Sequence, residues 1–290
     1  MTPTPGPRES GAAAWIDGRL RAAPEVRLQD RGARNGEGLF ETLRVEQGNP
    51  GHWQRHLERL VVSAAELGFP VAPDPALLRQ ALAEVLAAHG LERTGAVARI
   101  TMTRGVPGRR PARAGVWVEV EPLEKRLWVG ARTQSAHLML SRRAFDAGFL
   151  ARHKTTSRLM YELCREEARA VSADETLLVD SAGRVLEGAT SNVFAVIEGR
   201  LVTPPLSLPI LPGIVRALVL ALAPALGIAV IEAEVTREQL LLAEEVFVTN
   251  SIQEVVPAAR LGDRLLPSRA IGSRLAASYR ETAAEDRIHP

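Results

Sequence analysis

The sequence predicts an α+β protein with two lobes, and three observations lead to this prediction. The chain has 290 residues, more than one small hydrophobic core usually organises. Strand patterns and two amphipathic helices share its first half, whereas short strands separated by turn residues fill much of its second half. Hydrophobic residues make up 46% of the chain, enough for a sizeable core. We expect a disordered tail over 1–12, a small lobe over 13–125, a connection over 126–135 and a large lobe over 136–290.

The first lobe carries clear turn and helix signals. Asp74 is a suitable N-cap for one helix, and Gly68 and Gly90 are suitable helix ends. A Gly-rich turn over 35–38 leads into a strand, and an Arg-rich loop separates two later strands. The expected elements are a hairpin at Asp17-Gly18, helices over 54–67 and 75–88, and strands over 39–45, 96–103 and 115–121.

The sequence pattern of the second lobe predicts mainly short strands. Pro212-Gly213 is typical of a helix start. Proline has no N–H group, and it is tolerated there because the first N–H groups of a helix have no carbonyl partner within the helix. The expected elements are a helix over 155–170, strands over 176–180, 184–187, 192–197, 201–203, 228–233 and 245–250, and a helix that begins near Gly213.

Composition excludes several classes of protein. The net charge is only +2, which argues against a dedicated nucleic-acid binder. The single cysteine, Cys164, excludes an internal disulfide framework and a multi-cysteine metal site, and it favours a cytoplasmic protein. No apolar run reaches the ~20 residues of a membrane span, so we expect no membrane association. The usual dinucleotide, ATP and zinc-protease motifs are absent from the sequence, and we expect no metal.

Two residues offer an amine and an acid that one cofactor chemistry requires. Lysine is rare here, since Lys125 and Lys154 are the only two in the chain. Lys154 lies at the predicted start of a helix, where burial would lower its pKa and make it nucleophilic. Glu187 ends a short apolar strand and is suited to pair with a pyridinium nitrogen. Taken singly, a solvated surface lysine and a solvated strand-end glutamate are the commoner cases.

Two further features offer donors for a phosphate group. Arg59 lies on the first predicted helix, and a guanidinium binds phosphate through two hydrogen bonds. The helix start at Gly213 presents free backbone N–H groups. Considered alone, Arg59 is more often a surface arginine and the start at Gly213 is more often an ordinary helix start. An amine, an acid and phosphate donors are together what pyridoxal 5'-phosphate requires.

The order of the motifs resembles that of the class IV aminotransferases, the fold-type IV pyridoxal-phosphate enzymes, from about Trp15 to Arg260. The most specific segment is Gly183-Arg184-Val185-Leu186-Glu187-Gly188-Ala189-Thr190-Ser191-Asn192-Val193-Phe194. The other matching segments are 30–32, 36–44, 56–60, 103–105, His153-Lys154, 174–180, 203–205, Leu211-Pro212-Gly213-Ile214-Val215-Arg216 and 244–251.

The resemblance implies a fold, a cofactor and a set of roles. The fold is a small α/β lobe and a larger pseudo-barrel lobe with pyridoxal 5'-phosphate between them, usually in a homodimer. Lys154 is then the Schiff-base lysine and Glu187 the partner of the pyridine nitrogen. Phosphate and the rest of the cofactor are then bound by Arg59, Ser191, Asn192, Gly213, the backbone amides of Ile214 and Val215, and the turn at Asn250 and Ser251.

Within this family the sequence is most similar to 4-amino-4-deoxychorismate lyase, which releases pyruvate and forms 4-aminobenzoate for folate biosynthesis. The segment 154–159 is similar to the lyase pattern Lys-x-x-Asn-Arg-Leu, with Ser157 in place of the asparagine. The segment 249–251 reads Thr-Asn-Ser, as in many lyases, and the segment 40–44 lacks the Phe-Glu-Gly pattern common in branched-chain enzymes. The candidate substrate-binding residues are Phe40, Arg44, Arg104 and Arg109. The alternatives are a transaminase for branched-chain or D-amino acids, and a non-catalytic protein that kept the fold.

Overall fold

The structure is a computed structural model that describes residues 13–70, 73–108, 113–125 and 135–288, with side chains up to residue 283. The strands before residue 123 form one sheet and those after residue 135 form a second, so the two sheets do not share strands. The predicted tail over 1–12 lies outside the described residues, as does nearly all of the predicted connection over 126–135. The predicted lobe boundaries therefore remain predictions.

The first sheet has six strands in the order β2-β1-β6-β5-β3-β4. Its neighbouring strands are all antiparallel. The predicted hairpin is confirmed, with φ of 48° at Asp17 and 98° at Gly18, a left-handed turn that suits Asp-Gly. The strands are β1 (Ala14–Ile16), β2 (Arg19–Arg21), β3 (Gly38–Glu46), β4 (Asn49–Pro50), β5 (Gly95–Thr103) and β6 (Gly115–Pro122).

The two predicted helices of the first lobe are confirmed as α2 (Trp53–Glu66) and α3 (Pro75–His89). The Asp74 carboxylate accepts a hydrogen bond of 2.8 Å from the Ala76 N–H, as an N-cap does, and Gly90 ends the helix at φ 66°. The apolar faces of both helices form one core with the sheet. A short helix that was not predicted, α1 (Arg31–Asn35), precedes the turn expected over 35–38 and overlaps it only at Asn35; Asp30 caps this helix through the Gly32 N–H.

The second sheet has ten strands and is mixed, curling into a half-barrel. Its order is β12-β11-β10-β14-β15-β7-β8-β9-β13, with β16 paired to β15. The pairs β11–β12, β7–β15 and β7–β8 are parallel. The strands are β7 (Ala136–Ala144), β8 (Glu175–Val179), β9 (Arg184–Gly188), β10 (Asn192–Ile197), β11 (Arg200–Thr203), β12 (Val230–Glu232), β13 (Val235–Thr236), β14 (Glu245–Asn250), β15 (Glu254–Leu261) and β16 (Arg264–Leu265). The α+β class is confirmed.

One helix of the second lobe differs from the prediction. The helix expected over 155–170 begins only at Leu159, because Thr155 forms a β-bridge with Leu39 and the Thr156 N–H donates to the Gly38 carbonyl at 2.8 Å. Lys154 therefore lies in an extended segment, not at a helix start. The helices are α4 (Leu159–Ala170), α5 (Ile214–Ala225), α6 (Arg237–Leu242) and α7 (Ala270–Ile288). Within the described ranges, none of these or the earlier helices has the length and apolarity to cross a membrane.

The extended segment around Lys154 joins the two lobes. The Phe40 N–H of β3 donates to the Lys154 carbonyl at 2.9 Å, which continues the bridge made by Thr155. Lys154 is thus held between the sheet of the first lobe and the start of α4.

Candidate active site

A pocket lies between the two lobes, and all ten predicted cofactor residues line it. Its wall includes Arg59 of α2, the segment around Lys154 and the turn that joins β9 to β10. The start of α5 and the end of β14 complete it. The predicted residues among its lining are Arg59, Lys154, Glu187, Ser191, Asn192, Gly213, Ile214, Val215, Asn250 and Ser251.

Lys154 has the properties of a reactive amine. Its side chain is half-buried, and its Nζ atom lies 4.8 Å from the centre of the Phe40 ring. Burial and the positive charges of Arg59 and Arg158 together lower the pKa of Lys154 to about 7, although the charges of Glu41 and Glu187 act in the opposite direction. A large fraction of Lys154 is therefore an uncharged, nucleophilic amine near neutral pH.

Glu187 is a buried carboxyl group with no cation bonded to it in the described structure. It accepts hydrogen bonds from Asn192 Nδ2 at 3.2 Å and from the Leu211 N–H at 3.0 Å. Burial raises its pKa to about 8, although Leu211, Arg158 and Lys154 act in the opposite direction. A protonated ring nitrogen beside this carboxyl would supply the missing counter-charge. Asn192 also donates to the Leu211 carbonyl at 2.9 Å, so it holds Glu187 and the segment before α5 together.

At the opposite wall of the pocket, Arg59 is bound to a second buried carboxylate. Arg59 donates to Glu41 through Nε at 2.8 Å and Nη2 at 2.7 Å, and its Nη1 donates to the Pro212 carbonyl at 3.0 Å. His56 Nδ1 contacts the same carboxylate at 2.6 Å, while its Nε2 lies 3.2 Å from Ser251 Oγ. Despite the desolvation of this buried group, Arg59 and His56 lower the pKa of Glu41 to about 2. Glu41 is therefore ionised.

Sequence reasoning did not single out Glu41 or His56 as site residues, although a signal was present. Alternate residues of β3 face the core, and Glu41 stands in the inward series with Leu39, Leu43 and Val45. An acid at an inward position of an apolar strand needs a buried partner. The alternation therefore marked Glu41 as a paired carboxylate.

The start of α5 and the end of β14 contribute hydrogen-bond donors to the pocket wall. Gly213 is the N-cap of α5, and a Cβ atom there would lie 1.8 Å from Asn192 Oδ1, so only glycine fits. The N–H groups of the first helical turn have no partner within the helix. Thr249 Oγ1 is buried without a hydrogen-bond partner in the described structure. Asn250 Oδ1 accepts from the N–H groups of residues 252 and 253, which shapes the turn that carries Ser251.

The turn between β9 and β10 is anchored by Glu175, a third buried carboxyl group that the sequence analysis missed. One Glu175 oxygen accepts from the Thr190 N–H at 2.9 Å, from Thr190 Oγ1 at 2.6 Å and from Ser191 Oγ at 3.0 Å. Ser191 is thus engaged with Glu175, although it lines the pocket. The pKa of Glu175 is raised by burial.

Arg158 and Tyr161 also line the pocket, beside Lys154 and Glu187. The Arg158 guanidinium lies 3.5 Å from the centre of the Tyr161 ring and donates to the Ala189 carbonyl. Burial raises the pKa of Tyr161 and lowers that of Arg158. Leu159, which follows Arg158 in the chain, is 74% exposed to solvent.

The predicted substrate-binding residues are distributed unevenly. Phe40 lies beside Lys154, and on β5 the guanidinium of Arg99, which the sequence analysis missed, lies 3.8 Å from the Phe40 ring centre. Arg44 binds Glu46 at 2.8 Å and the Ile252 carbonyl at 3.2 Å.

Arg104 is placed outside the pocket lining, because it donates to the carbonyls of Leu67 and Gly68 and lies 4.8 Å from the Phe69 ring centre. Arg109 lies outside the described residues.

This arrangement can be compared with known proteins. A family model described as amino-transferase class IV matches residues 38–261. The chain belongs to this family. It is 30% identical over 265 residues to a D-alanine aminotransferase from Bacillus licheniformis, covering 89% of this chain and 91% of that protein. It is 27% identical over 252 residues to an aminodeoxychorismate lyase from Vibrio harveyi, covering 84% of this chain and 90% of that protein.

The fold agrees with the family assignment. The chain is similar to the crystal structure of a branched-chain aminotransferase from the archaeon Thermoproteus uzoniensis, with a TM-score of 0.85, 27% identity, and coverage of 95% of this chain and 96% of that one. The predicted fold-type IV architecture is therefore confirmed. Class IV aminotransferases are pyridoxal-phosphate enzymes, so the predicted cofactor and enzymatic nature are confirmed as well. An uncharged amine, a buried carboxyl without a cation and the unpartnered Thr249 hydroxyl fit this cofactor.

Proposed function

We propose that this class IV enzyme is a pyridoxal-phosphate-dependent 4-amino-4-deoxychorismate lyase that yields pyruvate and 4-aminobenzoate. The observation that carries the proposal is Arg158 in the pocket wall, beside Lys154 and Tyr161. Arg158 is the arginine of the segment that is similar to the lyase pattern Lys-x-x-Asn-Arg-Leu. The Thr-Asn-Ser sequence at 249–251, also similar to lyases, lines the same pocket.

In this proposal the cofactor is held at both ends of the pocket. Lys154 holds it covalently through Nζ, and Glu187 pairs with the ring nitrogen. Arg59, the amides of Ile214 and Val215, and Ser251 hold the phosphate, where a positive charge and free N–H groups meet.

Four predicted cofactor residues have supporting positions. Asn192 orients Glu187, and Asn250 shapes the turn of Ser251. Ser191 belongs to the turn bound by Glu175, and Gly213 lets α5 approach Asn192.

The residues of the chain supply the proton transfer. When bound, the cofactor spreads the negative charge that develops at the substrate carbon bearing the amine. Lys154 would be a free amine once the substrate amine has taken its place, and with a pKa of about 7 it is then suited to remove the proton from that carbon and to return a proton later. Glu187 keeps the ring nitrogen protonated, which lets the ring accept charge. Release of pyruvate then leaves an aromatic ring.

The substrate carries two carboxylates, and we propose Arg99 and Phe40 as the residues nearest to one of them. The Arg99 guanidinium lies 3.8 Å from the centre of the Phe40 ring, and Lys154 Nζ lies 4.8 Å from the same centre. Arg99 also pairs with Glu119 at 3.5 Å, so its place beside Phe40, and not freedom from partners, distinguishes it from Arg44 and Arg104, which are bound to Glu46 and to the carbonyls of Leu67 and Gly68.

Transamination is the second candidate, favoured by 30% identity to a D-alanine aminotransferase over most of the chain. It would use the same Lys154 and Glu187. It differs in requiring a keto acid as the second substrate.

One experiment separates the two reactions. The purified holoenzyme is assayed with 4-amino-4-deoxychorismate, and separately with a panel of D- and L-amino acids plus 2-oxoglutarate or pyruvate. Formation of 4-aminobenzoate and pyruvate in equal amounts, without a keto acid, is the expected result. Turnover that depends on a keto acid, with no 4-aminobenzoate formed, would overturn the lyase proposal. Lys154→Ala serves as the inactive control in both assays.

We also propose that the enzyme is a cytoplasmic homodimer. The free, buried Cys164 is compatible with a reducing compartment. Phe149 and Leu159 are 68% and 74% exposed in the segment that includes Lys154, where a second subunit would cover them. Light scattering of the purified protein at low and high concentration tests the dimer, and a monomer at all concentrations would contradict it.

A further inference from the structure

Two side chains proposed to bind phosphate, Arg59 and Ser251, are joined through a buried pair, Glu41 and His56, that does not line the pocket. Arg59 binds one side of the Glu41 carboxylate through two hydrogen bonds. His56 binds the same carboxylate at 2.6 Å and reaches Ser251 Oγ at 3.2 Å. Glu41 is 1% exposed and His56 is fully buried.

The hydrogen bonds of His56 determine where its proton lies. Glu41 is ionised and can only accept, so His56 Nδ1 must carry a hydrogen. Burial, together with the charges of Arg59 and Lys154, lowers the pKa of His56, which outweighs the attraction of Glu41. His56 is therefore neutral at pH 7, and its Nε2 atom has no hydrogen. Ser251 must then donate its single hydroxyl hydrogen to His56 Nε2.

A phosphate dianion changes this balance, because it also accepts hydrogen bonds only. If Ser251 donates to phosphate, it can no longer donate to His56. The buried Nε2 atom then either loses its partner or gains a proton and donates to Ser251 Oγ. A protonated His56 would lie between the Glu41 carboxylate and the Ser251 hydroxyl and would satisfy all three groups.

We propose that Glu41 and His56 are positioning residues for the phosphate subsite, and that His56 takes up a proton when Ser251 turns its hydroxyl toward phosphate. The inference rests on the phosphate subsite proposed above. The charged groups that face His56 are Glu41 on β3, Arg59 on its own helix, and Lys154 in the interlobe segment. A bound phosphate would add negative charge beside Ser251 and favour the protonated imidazole.

Two probes isolate the phosphate contribution without a covalent bond to the Lys154 amine. Pyridoxine 5'-phosphate and pyridoxine differ only in the phosphate group, and neither has the aldehyde that a lysine attacks. Their affinities for the cofactor-free protein are measured by calorimetry in buffers of different ionisation enthalpy, from pH 6 to pH 9. The slope against buffer ionisation enthalpy gives the number of protons taken up.

For the wild-type protein we expect binding of pyridoxine 5'-phosphate to take up more protons at pH 8 than binding of pyridoxine. His56→Gln keeps a polar side chain of similar reach but cannot be protonated. It should abolish the extra proton uptake and weaken pyridoxine 5'-phosphate by about tenfold, with pyridoxine unchanged. The ring ¹⁵N signals of His56, identified by their loss in His56→Gln, should move to the doubly protonated position on phosphate binding.

Arg59→Met separates failure of this inference from failure of the phosphate subsite itself. If Arg59→Met weakens both probes equally, the subsite is misplaced. If Arg59→Met is selective for the phosphate probe while His56→Gln leaves affinity and proton uptake at wild-type values, the subsite stands and the positioning role of His56 is wrong. Equal weakening of both probes by His56→Gln would indicate a structural role only and would also overturn the inference.

Discussion

Glu41 and Glu187 are both almost fully buried beside the same lysine, yet their carboxyl groups are in opposite states. Glu41 has two cationic or hydrogen-bonding partners, Arg59 and His56, and its pKa falls to about 2. Glu187 accepts hydrogen bonds from the side-chain amide of Asn192 and the Leu211 N–H, and its pKa rises to about 8. Burial acts in the same direction on both, so the partners decide the charge.

The two residues therefore differ in whether the charge of the carboxylate is balanced within the chain or would be balanced by a ligand. The Glu41 charge is balanced within the chain, which suits a group that only positions Arg59 and His56. The Glu187 charge is balanced by nothing bonded to it in the described structure, which suits a group whose counter-ion is the ring nitrogen of the cofactor. The negative charges of Glu41 and Glu187 both raise the pKa of Lys154.

The largest expected effect comes from removing the lysine between the two carboxyls. Lys154→Ala should abolish covalent attachment of pyridoxal 5'-phosphate completely, because Lys125 is the only other lysine in the chain and lies in the first lobe. Borohydride reduction followed by peptide mass spectrometry measures the attachment. Lys125→Ala is the matched control and should retain the adduct on Lys154. A trapped adduct elsewhere in Lys154→Ala would contradict the site.

The second effect tests whether Glu187 has the cofactor nitrogen as its partner. Glu187→Gln should lower turnover by about 100-fold or more, since a neutral amide cannot hold the ring nitrogen protonated. Steady-state kinetics with saturating cofactor measures this. Glu198→Gln, a substitution at an exposed acid in a turn, is the control and should leave turnover unchanged. Wild-type turnover in Glu187→Gln would remove Glu187 from the mechanism.

The third effect compares the two carboxyls directly through the stability of the cofactor-free protein. Glu41→Gln should lower the free energy of unfolding by about 3 kcal/mol, because it leaves Arg59 without its buried counter-charge. The stabilisation by Glu41 is fully present above its ordinary pKa of 4.5 and disappears only as the pH falls through about 2. The loss in Glu41→Gln should therefore be the same at pH 6 and pH 9.

Glu187→Gln should behave in the opposite way. Because its folded-state pKa of about 8 lies above the ordinary value, stability from the protonated Glu187 is lost as the pH rises from 4.5 through 8. Glutamine should therefore increase the free energy of unfolding by about 2 kcal/mol at pH 6, where only the unfolded carboxyl is ionised, and by a few kcal/mol more at pH 9, where the wild type buries a charge. Urea denaturation at both pH values measures all three proteins. Equal destabilisation of the two variants at pH 9 would refute the comparison.

Much of the fold and the cofactor end of this site was predictable from the sequence, because local signals and motif order coincide there. The turn at Asp17-Gly18, the cap at Asp74 and the start of α5 follow from backbone chemistry that acts over a few residues. The ordered motifs predicted that Lys154 and Glu187 share one site, although they lie 33 positions apart in the chain.

The remainder depends on contacts between lobes, which no local pattern contains. The segment after Lys154 was predicted to be helical from residue 155, but its pairing with β3 keeps Thr155 extended. The Glu41–His56–Ser251 connection joins α2, β3 and the end of β14, and it becomes visible only when these elements are packed together. Arg104 was selected because its residue type suits a carboxylate, but its local contacts direct it to the carbonyls after α2.

The smallest expected effect is a change in the pH dependence of cofactor attachment, and it measures how strongly each carboxyl acts on Lys154. Only the neutral amine attacks an aldehyde, so the attachment rate should rise about tenfold between pH 6 and pH 8 and level off above its midpoint near 7. An unperturbed lysine would give a rate that continues to rise beyond pH 9.

The two carboxyls should move this midpoint by different amounts. Both raise the pKa of Lys154, and Glu41 does so more strongly than Glu187. Removing either charge should therefore shift the midpoint to lower pH, by more in Glu41→Gln than in Glu187→Gln. Near pH 7 Glu187 is still largely protonated and carries little charge, whereas Glu41 is fully ionised. Stopped-flow absorbance of pyridoxal 5'-phosphate mixed with cofactor-free protein gives the rates. A larger shift in Glu187→Gln would mean that Glu187 is already ionised without the cofactor, so its charge would not depend on the ring nitrogen.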